Sequence, residues 1–291
     1  MAFLAAAAAV LLLAPPTPAP ADDESRSLTV TVTDDKGAPI DGLVLQDVAV
    51  LESGAARTLT RVEKDERPLR VAVLVDTSEP MGDHYRSQIL DPLLRFLGRL
   101  PKGSEFAVWT TGDRPNKVVD YGEGTTAAAK ALRRIFPTGG NTVLDALVEA
   151  SRDLQSKEAA RSAIVVVTGT GAGFTNYSKE QVVDIVRPIG ATVLAAEIDE
   201  SGAAATRGQG EVSRTDYDYT LANLAEKTGG RVEILLTAMG TGRTLDSFAG
   251  ELASQYRVTY DSVAGLKDKD RKVEVKVARP GAKVRIGNPR R

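Results

Sequence analysis

The chain has 291 residues, 42% of them hydrophobic and 26% charged, which is globular composition and excludes wholesale disorder. Its 37 basic and 39 acidic residues leave a formal charge of −2, so there is no basic excess to neutralise a phosphate backbone and nucleic-acid binding is disfavoured. With no Cys and a single histidine, His84, the chain cannot build disulfides, thiolate metal sites, a cysteine nucleophile or a two-histidine zinc motif.

Residues 1–21 read as an export signal: the apolar stretch Ala2–Ala14, then Pro15, Pro16, Pro18 and Pro20, then small residues at Ala19 and Ala21. The stretch is short for a bilayer span, and nothing later is long and apolar enough for one. The mature protein is expected outside the cytoplasm, secreted or periplasmic. Residues 27–66 alternate by two, with Leu28, Val30 and Val32 between threonines, and predict β-strands around turns at Asp34–Gly37 and Ser53–Gly54. From Pro68 the texture changes. Val71–Val75 and Ala163–Val167 read as buried strands and Phe106–Trp109, Ala191–Ile198 and Val232–Leu236 as further strands, with a short edge strand at Val118–Val119. Helical spacing occupies 83–99, 125–135, 142–156, 217–228 and 243–255, and Ser178 with Gln181 opens another helix as a capping box. This alternation over 68–255 predicts an α/β, doubly wound, mostly parallel sheet. Alternation by two returns over 256–288, at Tyr256–Tyr260, Lys272–Val277 and Val284–Ile286. Neither flank is long enough for its own core, so the two are expected to pair into one small β-sandwich with the α/β domain inserted between them.

Ligands of open α/β sheets bind beyond the carboxyl ends of the strands. The first buried strand ends in Asp76-Thr77-Ser78-Glu79-Pro80-Met81. Together with VTDDKGAPIDGL, PLRVAVLVDTSEPMG, TGGNTVLDAL, AEKTGGR and LASQYRVTY, it resembles the von Willebrand factor type A family, in particular its exported bacterial branch. The resemblance runs from about Leu28 to Ile286 and implies a Rossmann-like domain with a metal-ion-dependent adhesion site for Mg²⁺ or a similar ion. That site uses D-x-S-x-S, a Thr from a later loop, and an Asp after the fourth core strand. Asp76, Ser78 and Thr142 match. Pro80 stands where the second Ser is expected and Gly169 where the Asp is expected, and neither has a side-chain oxygen.

Three ligands do not complete an octahedron, so the site is expected to be vestigial and the chain to need no cofactor. Thr142 would then serve as a helix N-cap, Ser78 as a cap for the turn, and Pro80 as a first-turn residue. The alternative is that Glu79 or Asp83, in the same loop, completes a site for Mg²⁺ or Mn²⁺. Tyr85, Phe174, Tyr177, Tyr217 and Tyr219 fall in or beside loops on the Asp76 face and, with Glu79 and Asp83, form a candidate rim for a protein partner. Gly169–Phe174 imitates a dinucleotide loop but has Phe at the third glycine position and is read as a plain loop. The expected function is non-catalytic protein–protein interaction or adhesion. A hydrolase using carboxylates or His84 is the remaining alternative.

Overall fold

Leu28, Val30 and Val32 are buried on one face of β1 (Asp23–Thr33), longer at its start than the alternation indicated. β2 (Val48–Glu52) and β3 (Ala55–Arg57) form a hairpin whose turn residues, Ser53 and Gly54, both have positive φ (50° and 83°), as a tight primed turn requires. β4 (Leu59–Lys64) completes the amino-terminal flank. The computed structural model describes residues 23–157, 159–169, 173–199, 215–266 and 271–287; the leader assigned to 1–21 and the Gly/Ala-rich stretch at 201–210 lie outside them.

β5 (Leu69–Val75) is covered on both faces. Val71, Val73 and Val75 enter one apolar cluster, and Ala72 and Leu74 enter another on the opposite side. It pairs in parallel with β6 (Glu105–Thr110) and β8 (Arg161–Gly169); β9 (Thr192–Ile198) and β10 (Arg231–Leu235) extend the sheet on the β8 side. β7 (Asn116–Val119) is an antiparallel edge, giving the six-stranded order β10-β9-β8-β5-β6-β7.

A helical run follows β5: the short turn α1 (Gly82–His84), a π turn (Tyr85–Ile89), then α2 (Leu90–Gly98). Pro92 cannot donate to the Gln88 carbonyl, which accounts for a widened turn where periodicity alone predicted a continuous helix. α2, α3 (Gly124–Leu132) and α7 (Thr241–Ala253) cover the first face; α4 (Val143–Ser156), α5 (Lys179–Val186) and α6 (Thr215–Thr228) cover the second. The Ser178–Gln181 capping box is formed: Gln181 N–H donates to Ser178 Oγ at 3.3 Å and Ser178 N–H to Gln181 Oε1 at 2.8 Å. The α/β core is thus the mostly parallel doubly wound sheet that the strand–helix alternation predicted.

β11 (Tyr256–Val263), β12 (Val273–Val277) and β13 (Lys283–Ile286) return to the amino-terminal strands. They build a four-stranded sheet, β13-β1-β11-β4, and a three-stranded sheet, β12-β2-β3. One apolar cluster, including Leu28, Val30, Val50, Val258 and Val275, lies between the two sheets, so both flanks share a single core. At the start of β8 the buried Arg161 guanidinium donates to Asp65 O (2.7 Å), to Gln255 Oε1 (2.9 Å) and to Leu252 O, and so ties the sandwich to the inserted domain. Among the described residues, no helix is long and apolar enough to cross a membrane.

Candidate functional site

Asp76 follows β5 and is 1% exposed. Its Oδ1 accepts the Ser78 N–H at 2.8 Å. Its Oδ2 accepts the Asn141 amide at 2.7 Å and the Gly169 N–H at 2.9 Å, with the Thr168 hydroxyl at 3.3 Å. A buried carboxylate must be matched by donors, and here protein N–H groups supply them. Asn141 is the hub that sequence reasoning missed. Beyond Asp76, its Nδ2 donates to Thr168 Oγ1 (2.7 Å), and its Oδ1 accepts from the Thr111 hydroxyl (2.8 Å) and the Val143 N–H (3.1 Å). The signal was present in TGGNTVLDAL, where Asn141 directly precedes Thr142.

Thr142 does not cap α4. Its side chain makes no capping bond; its hydroxyl donates instead to Thr111 O at 2.8 Å, and Asn141 Oδ1 accepts the N–H of Val143, the first residue of the helix. Ser78 likewise makes no side-chain cap bond, whereas Pro80 does lie in the first turn after it. Gly169 is closed as well as bare. A Cβ built there would stand 2.6 Å from Met81 Sδ and 3.6 Å from Asp76 Oδ2. Met81 is 3% exposed, so a buried thioether fills the ground that a carboxylate at position 169 would need. Mg²⁺ and Mn²⁺ want six hard oxygens. The groups present are one carboxylate engaged by N–H donors, the Ser78 hydroxyl, a Thr142 hydroxyl turned to a carbonyl, and a sulfur. They do not fit such an ion. Glu79 and Asp83 are exposed, and among the described residues no three His, Cys, Asp or Glu side chains gather as a metal site.

The aromatic rim divides. Tyr85 does not belong to it: the side chain is wholly buried in the core beside α2 and α3, its hydroxyl donates to Leu132 O at 2.8 Å, and burial pushes its pKa up. Tyr217 is half-buried and structural. Its hydroxyl donates to Asn141 O at 2.8 Å, burial and then the charge of Asp76 raise its pKa, and it passes so close to Gly173 that a Cβ there would lie 1.1 Å from its oxygen. Tyr177 is half-buried under the Arg152 guanidinium, 5.9 Å from the ring centroid. Phe174 lies against Gly140, where a Cβ would come within 2.2 Å of the ring, yet it stays 65% exposed. Tyr219 is 45% exposed with Lys179 Nζ over its ring at 5.2 Å. Phe136, 76% exposed and stacked by Arg86 at 4.9 Å, is a further exposed aromatic that the sequence analysis did not single out.

Asp145 holds this loop in place. Its carboxylate accepts the Thr175 hydroxyl (2.9 Å), the Asn176 N–H (3.0 Å) and the Asn176 amide (3.0 Å). His84 is half-buried in α1.

Residues 71–172 match the family model described as von Willebrand factor type A domain. No curated protein sequence matches the chain at a significant level. Among solved structures, it is similar to proximal thread matrix protein 1 from the mussel byssus, at 16% identity and a TM-score of 0.50 over 77% of this chain and 50% of that one. A structure of the mussel protein with a zinc-occupied MIDAS motif aligns at 16% identity and a TM-score of 0.52, covering 69% of this chain and 49% of that one. A von Willebrand factor type A protein from Catenulispora acidiphila aligns at 10% identity and a TM-score of 0.50, covering 93% and 74%. The chain spans about half the length of the mussel chains it matches, and at these identities the likeness is one of fold. On the family match and these alignments, the α/β unit inserted between the β-strands has the fold of a von Willebrand factor type A domain.

Proposed function

We propose that the chain is an exported, non-catalytic module that binds a protein partner through the carboxyl-end face of its six-stranded sheet, with no metal ion bridging the two. The observation that carries the metal-free reading is the seat at Gly169: Met81 sulfur stands where a carboxylate would be needed, and Asp76 is held by the Ser78, Asn141 and Gly169 N–H groups. Recognition then falls to shape and side-chain contact. Phe174, Tyr219 and Phe136 supply exposed aromatic area, the residue class that anchors protein interfaces, and Glu79 and Asp83 supply exposed charge beside it. The apolar Ala2–Ala14 stretch with its following prolines supports export.

The test is capture of a partner from the native envelope fraction by the full chain, with and without EDTA. Recovery is expected to survive EDTA and to be lost in Phe174→Ala combined with Tyr219→Ala. Equal recovery by that variant removes the aromatic face from the interface, and loss in EDTA removes the metal-free reading.

A further inference from the structure

A cleft of about 590 Å³ runs along the outer edge of β10, three strands away from β5 and Asp76. Among the described residues β10 pairs only with β9, so its other edge carries backbone N–H and C=O groups without a strand partner. One wall is α7, with Arg243 and Ser247. The other is the turn after β1 and the strand β13, with Lys283 and Arg285.

The charges of this cleft are unevenly engaged. Arg231 Nε donates to Glu251 at 2.6 Å, its guanidinium also pairs with Glu233, and Arg285 pairs with Glu251 as well. Asp34 Oδ1 is taken by the N–H groups of Lys36 (2.9 Å) and Ala38 (2.8 Å) in its own turn. Asp35 is the lining carboxylate left uncommitted. On the positive side Lys36, Arg243 and Lys283 are exposed, and none forms an ion pair among the described residues. Arg285 Nε is buried with no acceptor.

We infer that this cleft is a docking site for an extended acidic peptide of a partner protein, which adds as a strand to the free edge of β10 while its carboxylates meet Lys36, Arg243 and Lys283. An unpaired edge gives main-chain affinity to any strand, and the flanking cations select an acidic one. A second copy of the same edge is disfavoured, because its cations would face these cations. The site is independent of the aromatic face.

The probe is a fluorescein-labelled synthetic peptide of alternating Glu and Val, titrated into the full chain and followed by anisotropy. Saturable binding is expected, weaker at high salt and reduced about tenfold or more by Arg243→Glu with Lys283→Glu. A thermal melt checks the fold of that variant, and Arg243→Gln with Lys283→Gln replaces it if the melt shifts. The same peptide methylated on alternate backbone nitrogens is expected not to bind, since the strand donors are gone. Undiminished binding by the charge variants overturns the proposal. So does equal binding of the methylated peptide, which would reduce the site to charge attraction. A salt-sensitive dimer in sedimentation that both charge changes abolish would assign the edge to a second copy instead.

Discussion

At the residue scale the decisive group is Gly169. Motif comparison showed that its carboxylate was missing; packing shows that its place is filled. Gly169→Asp alone is therefore expected to gain no Mg²⁺ affinity in calorimetry and to cost about 1–3 kcal/mol in denaturant unfolding, because Met81 must move out of a packed core. Gly169→Asp with Met81→Ala and Pro80→Ser is expected to show Mg²⁺ binding heat; silence from that triple variant would mean that Asp76 and Thr142 are no longer placed as ligands. Asn141→Ala is expected to destabilise by about 3 kcal/mol, since it removes the amide donor to a buried carboxylate and leaves the Thr111 hydroxyl and Val143 N–H without their acceptor. The residues of the site were legible in their order along the chain, but what they bond to was not. Thr142 satisfies every sequence criterion for a cap, yet its hydroxyl bonds Thr111 O, and only the fold brings that carbonyl within reach.

At the element scale the strands and helices of the core follow their apolar periodicity closely, because β5, β6, β8 and β9 are buried on two faces and the helices on one. Legibility ends where backbone chemistry intrudes on periodicity. The helical spacing over 83–99 predicted one continuous helix, but Pro92 removes a donor and a π turn precedes α2. Tyr85 lies in that turn, at the start of the predicted helix, and its inward direction could not be read from helical spacing once the turn widens. The loop at 173–177 is held by long-range bonds to Asp145, a contact between residues about thirty apart that no local pattern marks. Asp145→Ala is expected to raise amide deuterium exchange across 173–177 while leaving β8 and β9 protected. Unchanged exchange in that segment would show that Phe174 on Gly140 and Tyr217 on Gly173 suffice to hold it.

At the scale of the whole molecule the sandwich depends on both flanks, and its buried polar centre makes it acid-sensitive. Glu52, 2% exposed, accepts from Ser262 Oγ (2.7 Å), Val263 N–H (3.1 Å) and Arg271 (2.7 Å). Burial would raise its pKa, but these hydrogen bonds and the Arg271 charge prevail and hold it at about 2, against an ordinary value of 4.5. A carboxyl depressed on folding stabilises above its unfolded pKa, and that stability is lost as pH falls from 4.5 towards about 2. The loss is on the order of 3 kcal/mol by linkage. Thermal unfolding followed against pH is expected to fall through this window in the wild type and to run flatter there in Glu52→Gln. Pairing of the two flanks was legible because each alone was too short to bury its alternating face. Their division into two sheets was not, since β1 and β2 carry the same alternation and join different sheets.

The two connections of the inserted domain leave the sandwich side by side. β4 runs into it and β11 runs out of it, Lys64 opposite Tyr256, with Asp65 N–H bonded to Gln255 O at 2.7 Å. A tether under tension at the far face would therefore deliver its force to both strands together at a single root. The load would pass lengthwise into the eight-residue ladder between β11 and β1, where the hydrogen bonds resist in concert and do not peel one after another.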